Sequence, residues 1–123
     1  MEDETKKRRE LLDRIYSETL PGIAKEYKRI PDFLVRKVLT MYLAKEEKQD
    51  ALVRMFFSSK VFKSLSKDEK KLLSGVTGDD VLLTMQAFSE LPKVSIIYRI
   101  LRENRDVFCA AVERGCKKIN WDE

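Results

Sequence analysis

The chain has 123 residues, of which 25 are basic and 21 acidic, giving a formal charge of +4, and it contains no histidine. That length suits one domain, which can remove roughly two thirds of its unfolded surface from water and hold a core without metals or disulfides. The missing imidazole excludes every triad, zinc site or phosphorelay that depends on histidine, and 37% charged residues with 4 glycines favour helices.

Residues 1–20 pass from a mixed-charge block, Lys6-Lys7-Arg8-Arg9, into Leu11, Leu12, Ile15, Tyr16 and Leu20 at helical spacing. This stripe predicts an amphipathic helix ended by Pro21-Gly22. Pro31 opens the next helix, because proline suits the first helical turn and pushes the residue before it towards extended geometry. Phe33, Leu34, Val35, Val38, Leu39, Met41, Tyr42 and Leu43 then surround nearly the whole circumference, with Arg36, Lys37 and Thr40 as the wet side. Such a pattern predicts a central, buried helix.

The polar group 45–50 reads as a break. Leu52, Val53, Met55, Phe56, Phe57, Val61, Phe62 and Leu65 form a further apolar segment studded with Arg54, Lys60 and Lys63. Ser66-Lys67-Asp68-Glu69 has the spacing of a capping box, so a short helix to Leu73 is expected. Residues 75–79 read as a turn, with Thr77 or Asp79 capping a helix that contains Val81, Met85 and Phe88. Pro92 marks another start, with a stripe of Val94, Ile97, Tyr98 and Leu101 ending near Asn104, and Asp106 caps a last helix carrying Phe108, Ala111 and Val112 and fraying at Gly115. No alternating strand pattern persists. The expected fold is all-α, a compact bundle of six or seven short helices in a single domain over 1–123, with residues 1–8 and 117–123 frayed.

Sites for chemistry are scarce. Asp79-Asp80 after two glycines lacks the roughly six oxygen ligands of a calcium loop, and helix capping accounts for both acids. Gly75 and Gly78 make no phosphate loop, since no Gly-Lys-Ser/Thr follows. Cys109 and Cys116 lie about 10 Å apart on one helix, beyond the ~7 Å that a disulfide bridges, so they are read as free thiols in a reducing compartment. No histidine is present to activate them. No stretch approaches the ~20 apolar residues of a membrane span and the charged N-terminus lacks a signal-peptide core, so an intracellular, cytoplasmic or nuclear location, away from membranes, is expected. No enzyme activity, cofactor or metal is expected.

The positive charge is concentrated between Lys25 and Lys71. Within it, Arg54-Met-Phe-Phe-Ser-Ser-Lys-Val-Phe-Lys63 interleaves cations with phenylalanines, the ingredients of single-strand nucleic-acid binding, although core packing with solvated lysines uses the same pattern. Arg36, Lys37, Arg54, Lys60, Lys63 and Lys67 are the candidate nucleic-acid contacts. Phe57, Phe62, Tyr98 and the lone Trp121 are the candidate partner anchors.

Residues 50–104 resemble the second half of a histone fold of the transcription-factor and polymerase-subunit type. Val76-Thr77-Gly78-Asp79-Asp80-Val81-Leu82-Leu83-Thr84-Met85 resembles the loop and short third helix of that family, and Phe56 falls where its long central helix often carries an aromatic. The resemblance implies an obligate heterodimer whose loops, including Thr77, touch DNA phosphates. Together these features point to a non-enzymatic helical interaction or adaptor module with a protein partner, hetero- or homo-oligomeric, in a nucleic-acid-associated assembly. Direct DNA or RNA binding through a basic helical face is the alternative.

Overall fold

In the computed structural model, which describes residues 2–57 and 60–119 apart from the side chains of Glu2, Lys60 and Val61, the first helix is the longest. This α1 spans Glu2–Glu26 and carries Pro21 inside it. The expected end at Pro21 does not occur. An interior proline removes one backbone hydrogen bond and costs about 3 kcal/mol, but Leu20 and Ala24 are both buried and Ile23 packs beside them, so burial on either side of the proline holds the turn together.

Helix α2, Asp32–Ala44, follows Pro31, whose φ of −59° and ψ of 145° set the extended entry that the sequence anticipates. Lys45 is extended at φ −128° and ψ 128°, and breaks the chain there. Glu46 through Asp50, however, already belong to α3, Glu46–Phe57. The single turn α4, Lys60–Lys63, precedes α5, Lys67–Leu73. At Ser66 both capping-box bonds form: the hydroxyl accepts from the Glu69 amide at 3.2 Å, and the Ser66 amide donates to Glu69 Oε1 at 3.0 Å.

Thr77 repeats that device for α6, Gly78–Gln86, its hydroxyl accepting from the Asp80 amide at 3.2 Å and its amide donating to Asp80 Oδ2 at 3.1 Å. Helix α7 spans Val94–Glu103, entered through Lys93, whose φ of 69° is the one positive value among described non-glycine residues. The Lys93 ammonium donates to Asp32 Oδ1 at 2.5 Å and ties that corner to the start of α2. Helix α8, Arg105–Lys118, continues past Gly115, where fraying was expected, because Gly115 is buried against Val53 of α3.

All these elements are helices, one of them a single turn, packed as one bundle as the composition implied. Helix α8 packs against α3, α6 and α7, while α1 packs against α5, α6 and α7. The centre is a run of tilted aromatic rings: Tyr16 to Phe56 at 6.2 Å and Phe56 to Phe108 at 6.0 Å between centroids. Leu12, Ile15, Leu52, Val53, Leu73, Val81, Leu101 and Val112 fill the space around them without solvent contact. Each such side chain contributes about 1.5–3 kcal/mol by leaving water. The segment that carries the histone resemblance folds as the larger part of α3 and then α4, α5, α6 and α7, with an extended residue at Ser66 (ψ 165°) dividing what a long central helix would join.

Candidate interaction surface

Helix α2 is where sequence pattern and structure part most. Its Leu39 and Leu43 are buried and its Val35 and Tyr42 pack against the core, as one face of a helix should. The opposite apolar residues are not covered: Phe33 is 67% exposed, Leu34 39%, Val38 45% and Met41 45%. The expected central, buried helix is therefore an outer helix resting on α3 and α7. A helix apolar all round is the mark of an interior position, and the rest of this bundle supplies cover for only one side of it.

Leu34, Val38 and Met41 stand at i, i+4 and i+7, the anchor spacing by which a helix meets a groove or another helix. Exposed cations lie nearby: Lys37 stands beside the stripe, Lys45 follows the end of α2, and Arg36 is on the far side of the helix. Asp32 is the one acid of α2, and it is engaged by Lys93. An uncovered apolar row with one cation beside it and another at its end is thus set out along a single helix.

The basic residues singled out in the sequence are distributed differently. Arg36, Lys37, Arg54, Lys63 and Lys67 are exposed, but they sit on α2, α3, the turn α4 and the first residue of α5. The side chain of Lys60 lies outside the described residues. Arg54 lines a cavity of about 550 Å³ together with Glu46, Glu47, Asp50, Ala51 and Lys118, so it faces carboxylates rather than an open positive field. The acids there belong to a clamp between α3 and the end of α8. Arg114 Nε lies 3.3 Å from Glu46 and 3.8 Å from Asp50, and Lys118 reaches Asp50 at 2.8 Å. The hydrogen bond from Lys118 lowers the Asp50 carboxyl from its ordinary value. No cluster of three or more His, Cys, Asp or Glu side chains that could hold a metal ion occurs among the described residues.

Two of the four aromatic partner candidates are corrected. Phe57 and Phe62 are buried and meet edge to face at 5.8 Å, so their rings form core rather than surface. A phenylalanine removes more free energy from an apolar interior than from a wet face, and both have the interior within reach. Tyr98 is half-buried in a cleft beside α6, and Trp121 lies outside the described residues. Thr77 spends its hydroxyl on the α6 cap. Asp80, the other member of that capping box, is buried beside Arg8 at 3.7 Å and Arg9 at 3.4 Å, while Asp79 takes a bidentate pair from Arg105 at 2.7 Å on each arm.

Neither Cys109 nor Cys116 is in a disulfide. Burial pushes the Cys116 thiol up to about 12 from an ordinary 9.0, and burial likewise raises the Tyr16 hydroxyl well above its ordinary 10.0. Both groups keep their protons in the folded chain and release them sooner when unfolded. The contribution of Cys116 to stability is therefore complete below pH 9 and is lost as pH rises from 9 towards 12, and that of Tyr16 begins to be lost only above pH 10. Urea unfolding across that range is expected to show midpoints that are level up to pH 9 and then fall, with a shallower first part of the decline in Cys116→Ala. Thiol titration of the native protein at pH 8 should label half-buried Cys109 before Cys116; equal rates would contradict the burial.

No helix among the described residues is long and apolar enough to cross a membrane. No protein-family model matches the chain, and no match is found among curated proteins or solved structures.

Proposed function

We propose that the chain is a non-enzymatic helical interaction module whose α2 face docks on an acidic amphipathic helix of a partner protein. The uncovered apolar half of α2 carries this reading: Phe33, Leu34, Val38 and Met41 are apolar residues on an ordered helix that the bundle itself does not bury. Lys37 beside the row and Lys45 at its end favour carboxylates flanking the partner's own apolar row. Direct nucleic-acid binding has less support, because Arg54 faces Glu46, Glu47 and Asp50 and the other candidate cations lie on separate elements. The histone-like heterodimer is weakened by the extended backbone at Ser66.

The test uses a defined probe, a synthetic helical peptide with leucines at i, i+4 and i+7 and glutamates on either side, labelled for fluorescence anisotropy. Binding in the micromolar range is expected, weakening as salt is raised because the border charges are exposed. In Leu34→Glu with Val38→Glu the affinity should fall about a hundredfold, on the order of 2.7 kcal/mol. The thermal midpoint of that variant should stay within a few degrees of the parent, since both positions face solvent. Unchanged binding in the variant, or none in the parent, overturns the reading. A homodimer dispersed by the same substitutions, measured by sedimentation, would assign the face to a second copy instead.

A further inference from the structure

Away from α2, four guanidinium groups gather around α6. Arg9 of α1, Arg102 of α7 and Arg105 of α8 line a cleft of about 390 Å³ together with Asp79, Leu82, Leu83, Gln86 and Tyr98, while Arg8, outside the lining, lies 3.7 Å from Asp80 and donates to the Leu72 carbonyl. Small-molecule sites run from roughly 300 to 1,000 Å³, so the cleft is at the small end of that range. Its charges do not cancel. The four guanidinium groups meet two carboxylates, Asp79 and Asp80, which leaves two positive charges over; Asp106, 3.5 Å from Arg105, is fully exposed and does not line the cleft.

The arginines differ in how they are held. Arg105 is fixed by its two 2.7 Å bonds to Asp79, and Arg9 by a 3.4 Å contact to buried Asp80. Arg102 is exposed and forms no ion pair among the described residues. Two guanidinium groups held against carboxylates beside one that faces solvent form a site for an anion, to which Arg102 brings a planar fork suited to phosphate oxygens. The remaining wall is apolar and aromatic. Leu82 is buried, Leu83 is half exposed, and the half-buried Tyr98 brings an aromatic ring to the lining. Gln86 adds an amide that can both donate and accept.

From this juxtaposition we infer that the cleft between α1, α6, α7 and α8 binds a phosphate monoester carried on a planar organic body, of the size of a mononucleotide. The second ionisation of such a phosphate lies near pH 6, so at neutral pH it is chiefly a dianion and matches the two surplus positive charges. The phosphate sits between Arg9, Arg102 and Arg105, and the planar body lies over Tyr98 and Leu83. No α2 residue lines the cleft, so this site stands or falls independently of the partner-binding face.

Adenosine 5′-monophosphate, adenosine and inorganic phosphate, each titrated into the full chain at low salt and followed by amide correlation spectra, test the assignment. The nucleotide is expected to bind with a dissociation constant below about 1 mM and to shift amides at Leu82, Leu83, Gln86, Tyr98, Arg102 and Arg105. Adenosine and phosphate alone should bind at least about tenfold more weakly, and Arg102→Ala should weaken the nucleotide by about tenfold while leaving the remaining amides in place. Adenosine matching the nucleotide overturns phosphate recognition, and inorganic phosphate matching it overturns the role of Tyr98 and Leu83. No shift in the cleft at about 5 mM nucleotide, or equal binding in Arg102→Ala, overturns the site altogether. A phosphotyrosine peptide that binds there when the nucleotide does not would assign the cleft to a macromolecular partner and overturn the small-ligand proposal.

Discussion

Phe108→Ala is expected to remove about 3–5 kcal/mol of folding free energy. Phe108 has no solvent exposure, and its ring meets Phe56 edge-on at 6.0 Å, with Phe56 in turn 6.2 Å from Tyr16. The void left by the ring opens beside Phe56 of α3, and because α8 also packs against α6 and α7 it cannot shift to fill the space without leaving them. A cavity that cannot collapse falls towards the upper part of that range. Native domains are stable by only about 5–15 kcal/mol, so the variant would keep a third of its stability or less if the parent lies at the lower end of that range. Phe108→Leu, which keeps most of the volume, should cost about 1–1.5 kcal/mol. Urea titrations of the three proteins at pH 7 measure this directly. A loss under about 1.5 kcal/mol for the alanine variant would mean that the aromatic run is not the centre of the core.

The legibility of this fold depended on how local each determinant is. The capping box at Ser66 rests on four consecutive residues and stands clear in the sequence, whereas at α6 the sequence leaves Thr77 and Asp79 as alternative caps and only the structure shows the reciprocal box of Thr77 with Asp80. Nor does the end of α1 stand clear, because helix propensity at Pro21 is opposed by the burial of Leu20 and Ala24 against residues distant in the chain. The pattern of α2 shows correctly that Phe33, Leu34, Val38 and Met41 are apolar. It cannot show whether this chain or another molecule covers them, and a helix apolar on every side is the same signal in both cases. For Phe57 and Phe62, interleaved cations suggested surface, yet a helix can bury rings on one side and solvate lysines on the other. The arginine cleft was invisible for a different reason. Arg9, Asp79, Tyr98, Arg102 and Arg105 come from four helices, and only packing brings them together.

The second large effect is expected at Gly78, and Gly115 provides the contrast that tests its cause. Neither glycine has positive φ, so an alanine is tolerated by the backbone and would by propensity alone gain up to about 1 kcal/mol in a helix. Packing opposes this gain. A β-carbon on Gly78 would stand 2.5 Å from Cys109 Sγ and 2.6 Å from Cys109 Cα, so it strikes the backbone of α8 and not merely a side chain. Helices α6 and α8 must part, and Gly78→Ala should cost about 3 kcal/mol, the upper end of overpacking penalties. A β-carbon on Gly115 would instead meet Val53 Cγ1 at 2.7 Å, Cβ at 3.0 Å and Cγ2 at 3.2 Å, and a second substitution to alanine removes the two methyl groups, the nearest included, leaving only the Cβ contact. Gly115→Ala combined with Val53→Ala should therefore destabilise less than the sum of the two changes, with a favourable coupling of about 1 kcal/mol. Gly78→Ala combined with Cys109→Ala should show little coupling, because the Cys109 Cα remains in the way. Double-mutant cycles by urea unfolding separate the two cases. Strong rescue at Gly78 would show that α6 and α8 are kept apart by the thiol alone, and that the close approach of their backbones does not limit what position 78 can hold.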